Sequence, residues 1–128
     1  MMGNNLTKNR VSNGNTVVIY LQNPREKVWG QLCDITSAGV SVNGIDLNAF
    51  EDWMRSLMTG ESGIGLTASF IPMWRVERII LDRAVAGVPG LEDQVINRTG
   101  LSLSQLINQA DSFFNESAEA SDFDEHQN

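Results

Sequence analysis

The sequence predicts a mainly β domain with helices: five short strands wrapped into a small barrel, one helix inserted between the third and fourth strands, and a short helical appendage at the C-terminal side. Three observations predict it. Apolar and β-branched runs of strand length recur between turn signals over residues 16–81. The second of these runs carries Gly30 in its interior, where glycine weakens a flat strand and suits a sharply bent one. Between the third and fourth runs, Phe50, Trp53, Met54, Leu57 and Met58 fall at the i, i+3, i+4, i+7, i+8 spacing of one helix face.

Composition sets the class. The chain has 128 residues with 41% hydrophobic and 20% charged side chains, which supports one domain with a packed core and excludes wholesale disorder. One cysteine, Cys33, excludes an internal disulfide and a multi-cysteine zinc site, and one histidine, His126, excludes His-based triads. No catalytic, metal or cofactor site is expected. Residues 1–15 lack the apolar core of a signal peptide and no run is long enough to span a bilayer, which predicts a cytoplasmic protein without a membrane partner.

Charge is unevenly spread. Residues 1–83 carry eight Lys/Arg and eight Asp/Glu and sum to zero; residues 84–128 carry Arg98 against eight acids and hold the whole −7. A basic excess, the usual mark of nucleic-acid binding, is absent, so RNA is a possible partner that charge does not favour.

Taken in order, residues 1–15, rich in Asn, Gly, Ser and Thr, read as a flexible N-terminal arm. Thr16–Leu21 is the first strand, Asn23-Pro24-Arg25-Glu26 a turn, and Lys27–Ile35 the second strand, with Val28, Gly30 and Leu32 on one face and Trp29, Gln31 and Cys33 on the other. Cys33 reads as a buried structural thiol. Val40-Ser41-Val42 starts the third strand after a turn at Thr36-Ser37-Ala38-Gly39. Asn43-Gly44 could be a hairpin turn, but a kink at Gly44 in a strand leading straight into the helix at about 48–58 is preferred. Asp46 and Asn48 compete to cap that helix, the second as a box with Glu51, and Thr59-Gly60 ends it. Leu66–Ile71 is the fourth strand, stopped by Pro72; Met73-Trp74 is a tight corner; Arg75–Leu81 is the fifth strand, with a helical turn as the alternative that Val76, Ile79 and Ile80 also fit. Residues 84–115 form the helical appendage, with helices at Leu91–Arg98 and Ser102–Asn115, the latter opened by a Ser102/Gln105 capping box. Residues 116–128 read as a disordered acidic tail.

This pattern suggests an SH3-like barrel, and the residues narrow it. Thr16–Val42 resembles the first motif of Sm-like proteins, the family that includes the bacterial host-factor RNA chaperone, with Val17, Ile19, Leu21, Gly30, Leu32 and Asp34 at matching positions. Leu66–Leu81 is similar to the second motif, with Val76 and Ile79 in its short last strand. The resemblance implies a non-enzymatic barrel that assembles as a homo-oligomer through its strand edges. The chain departs from the family at its RNA-contacting positions: the first-motif turn holds Ser37, Ala38 and Gly39, and the second-motif corner reads Pro72-Met73-Trp74. Those RNA contacts therefore do not carry over.

Three residues are the candidate partner- or RNA-binding set: Trp74 and Arg75, with Arg78 three later, can stack on and clamp a base or an acidic partner. The competing reading has Trp74 closing one end of the barrel and the arginines paired with Glu77 or Asp82. Gly30, Gly44 and Pro72 are the fold-critical candidates. A barrel this small is not expected to bury all three amphipathic helices, which would leave apolar surface for another subunit.

Overall fold

A computed structural model of the chain describes residues 10–60 and 65–109. Strands β1 (Thr16–Leu21), β2 (Glu26–Ile35), β3 (Gly39–Asp46), β4 (Thr67–Pro72) and β5 (Val76–Leu81) form one antiparallel sheet in the order β4-β3-β2-β1-β5. Helix α1 (Phe50–Thr59) lies between β3 and β4, after a 3-10 turn at Leu47–Ala49, and α2 (Leu91–Thr99) follows β5. Residues 103–109 are helical as well. The fold is thus mainly β with helices. Residues 1–9 of the expected arm, Phe113, Phe114 and the acidic segment 116–128 lie outside the described residues.

The sheet is apolar on both faces, which is why its strands read as near-continuous apolar runs. Alternation sends Val17, Ile19 and Leu21 to one cluster with Leu32, Val40, Val42 and Ile71, edged by Val76 and Ile79. Val18, Trp29 and Ile45 go to the other, under Phe50, Trp53 and Met54 of α1, Val95 of α2, and Leu103, Leu106 and Ile107. The outer face of the sheet thus packs against residues of all three helical segments, while Met58 and Ile96 of the helices remain exposed.

Asn43-Gly44 is not a hairpin turn: β3 runs unbroken through it, as expected, and Gly44 pairs with Gly30 across the β2–β3 ladder. A Cβ on Gly30 would strike the Asn43 carbonyl oxygen and sit 2.5 Å from Gly44 Cα; one on Gly44 would strike the Trp29 carbonyl oxygen. Two backbones approach here as only paired glycines allow.

A single three-residue turn measures the resulting bend. The 3-10 turn Met73–Arg75 joins β4 to β5, the two edge strands. Met73 N–H donates to Ala38 O (2.9 Å) in the β2–β3 turn, while Gln22 N–H in the β1–β2 turn donates to Arg75 O (2.8 Å). These two turns lie at opposite ends of β2, and a flat ten-residue strand would hold them about 33 Å apart. The sheet is therefore strongly bent. Irregularities between Leu32 and Asp34 and between Tyr20 and Leu21 add local twist.

Several local readings change. Cys33 sits at the first irregularity and is exposed, not buried, because the extra residue breaks the alternation of β2. Asp46, not an Asn48/Glu51 box, supplies the cap before α1: its carboxylate accepts from Asn48 N–H at 2.8 Å, and Glu51 instead pairs with Arg98 on α2 at 3.2 Å. Arg75 belongs to the 3-10 turn, so β5 starts at Val76. Gly14 N–H donates to Leu32 O and Leu32 N–H to Asn15 O, docking the end of the expected arm on β2. The Ser102/Gln105 box is present in both directions, at 2.8 and 3.2 Å.

Two carboxylates tie the helices to the sheet. Asp82, just past β5, accepts from Leu91 N–H and Glu92 N–H at 2.7 Å each, capping α2, and from the Trp29 indole N–H at 2.9 Å. Glu92 accepts from the Thr16 hydroxyl (2.7 Å) and from Leu103 N–H (2.9 Å), capping the next helix.

Candidate functional site

The 3-10 corner turns Trp74 outward, 64% exposed. Arg75 points the other way. Its guanidinium donates to the Gln22 and Pro24 carbonyls at 2.9 Å each and meets the Glu26 carboxylate at 3.3 Å. These bonds pin the β1–β2 turn to the corner, with the Gln22 amide returning a bond to Trp74 O at 2.8 Å. Arg78 lies on β5 with its guanidinium 4.6 Å from the centre of the Tyr20 ring. The expected set is thus divided: an exposed indole, a structural clip, and a cation over an aromatic. The alternative pairings fail too. Arg75 pairs with Glu26, and Asp82 is occupied by α2 and Trp29.

Sequence reasoning missed Tyr20. In register, Tyr20 faces Lys27 on β2 and Arg78 on β5, so the three form one row across adjacent strands. Lys27 Nζ sits 5.1 Å from the ring centre. The tyrosine is a fin between two cations, each contact contributing about 0.5–1 kcal/mol at an exposed site. The signal was available: a turn centred on Asn23-Pro24 brings the residues just before and after it opposite one another.

Two clefts open on this side of the molecule. One, of about 480 Å³, follows β4 and is lined by Val28, Val42 and Ile71 of the inner cluster together with Phe70, Ser69 and Arg75. The other, of about 470 Å³, lies beside the β1–β2 turn between Tyr20, Arg25, Lys27, Leu47, Asn48 and Glu77. β4 and β5 are the edges of the sheet, and Thr67–Phe70 of β4 are exposed. Among the described residues, no group of three or more His, Cys, Asp or Glu could hold a metal ion, and no helix is long and apolar enough to cross a membrane.

No protein-family model, no curated protein and no solved structure matches the chain.

Proposed function

We propose that this chain is a non-enzymatic, Sm-like small barrel that acts as a homo-oligomeric assembly or binding module. The strand order β4-β3-β2-β1-β5 carries this reading, because a three-residue turn links two edge strands that each keep an outer edge open. Open edges invite pairing, and Thr67, Ala68, Ser69 and Phe70 of β4 carry no charge to deter it; proline comes only at the last position of the strand, Pro72. Phe70, 53% exposed, supplies apolar area beside that edge. Pairing of β4 in one copy with β5 in the next would satisfy both edges and make a head-to-tail assembly that can close into a ring.

Light scattering on the chromatographed protein tests the reading. At tens of micromolar the expected mass is a multiple of the 14.1 kDa chain, and Ala68→Lys, which puts a charge on the β4 edge, returns it to one chain mass. A wild-type monomer under those conditions would refute the assembly. The cleft along β4 favours a second reading, a monomeric small-ligand module, because it is concave, mainly apolar and of ligand size. A monomer whose Ile71→Trp variant stays folded and loses binding of an apolar dye would establish that alternative.

A further inference from the structure

The cations of the Lys27–Tyr20–Arg78 row differ from the ion-paired arginines of the described residues. Arg55 pairs with Asp52, Arg75 with Glu26 and Arg98 with Glu51. Arg25, Lys27 and Arg78 form no ion pair among the described residues, although Glu26 and Glu77 are their chain neighbours. All three are exposed; Lys27 and Arg78 lie over one aromatic ring, and Arg25 lines the cleft beside it. Lys27 and Arg78 stand two ladder steps apart on one face, about 10 Å between strand axes, a distance that their long side chains can close on a shared anion. The Tyr20 hydroxyl between them makes no hydrogen bond among the described residues. An ammonium, a guanidinium and a free phenol donor converging beside a cleft are the donor set of a phosphate site.

We infer that this row and the adjoining cleft bind a small phosphate monoester. The phosphate would bridge Lys27 and Arg78 over the Tyr20 hydroxyl, with Arg25 at the cleft wall as a further cation. The body of the ligand would lie in the cleft of about 470 Å³ against Leu47 and Asn48. Two carboxylates border that cleft. Glu26 is neutralised by Arg75, and Glu77 remains as an acceptor, which suits a body carrying hydroxyl or amino donors, as a nucleoside monophosphate does. The size of the cleft selects a small ligand, and the −7 net charge of the chain disfavours a polyanion through long-range repulsion. The inference concerns the rim of the β1–β2 turn and holds for a monomer or an assembly alike.

Calorimetry on the full chain at low salt tests it with adenosine 5′-monophosphate, adenosine, inorganic phosphate and a single-stranded adenine oligonucleotide. The monophosphate is expected to bind, inorganic phosphate more weakly, and adenosine not measurably. Lys27→Ala with Arg78→Ala should weaken monophosphate binding by about ten-fold or more, the usual loss when a charge-assisted hydrogen bond is removed. Lys27→Arg should retain it, and Arg55→Ala, an exposed cation paired elsewhere, should leave it unchanged. Circular dichroism checks that each variant is folded. Absence of monophosphate binding, equal binding of adenosine, or full affinity in the folded double variant would overturn the site. Tighter binding of the oligonucleotide per phosphate would overturn the choice of a small ligand.

Discussion

Asp82 is the residue on which the two layers of this molecule depend most directly. Its two oxygens cap α2 and hold the indole of Trp29, which also packs edge-on against Phe50 (5.1 Å, 82°) and beside Trp53 (5.4 Å). Asp82→Ala removes a cap, costing about 1 kcal/mol, and strands a buried indole donor, costing about 1–3 kcal/mol more. Urea denaturation should therefore show a loss of about 2–4 kcal/mol, far more than a surface substitution gives. The glycines separate in the same measurement. Gly30→Ala drives a methyl into the β3 backbone and should cost about 3 kcal/mol or more, whereas Gly60→Ala meets nothing within 4 Å and should cost only about 1 kcal/mol for its left-handed conformation (φ +73°).

At the scale of elements, pattern and punctuation made much of the fold legible. The α1 stripe, the Gly60 and Gly100 stops and the Ser102/Gln105 box are local chemistry, and a sequence displays local chemistry directly. Ser102→Ala should cost about 1 kcal/mol and raise amide exchange over residues 103–109 without affecting β1–β3, as read by hydrogen-exchange mass spectrometry. What stayed hidden depends on partners distant in the chain. Cys33 reads as interior by strict alternation, and only the pairing of β2 with β3 exposes the extra residue that turns it out. Arg75 and Arg78 look alike in sequence, three apart beside a tryptophan. One clips a turn about fifty residues upstream and the other covers Tyr20, and only the β1–β5 register distinguishes them. The candidate site was legible as a set of residue types and not as an arrangement.

For the whole molecule, charge decides which long-range partners are reachable. The last nineteen residues of the chain carry six acids and no Lys or Arg, whereas residues 1–83 are neutral in sum. Deleting residues 116–128 removes five of those acids and takes the net charge from −7 to −2. If Trp74 and the neighbouring cations contact RNA, the truncated protein should bind single-stranded RNA more tightly than the full chain in a filter titration, with affinity falling as salt rises. No binding by the truncated protein at low salt would remove RNA from the list of partners.

The placement of β1 between β2 and β5 also sets the order in which the molecule can be completed. Val17 meets Leu81 across the ladder, so one side of β1 waits more than sixty residues for its neighbour. During synthesis at about 5–20 residues per second, that interval lasts several seconds, with an apolar ribbon open to solvent or to a second nascent chain. Such non-local pairing places refolding in the slow range, about milliseconds to seconds, and makes this interval the one in which misassembly is most easily seeded.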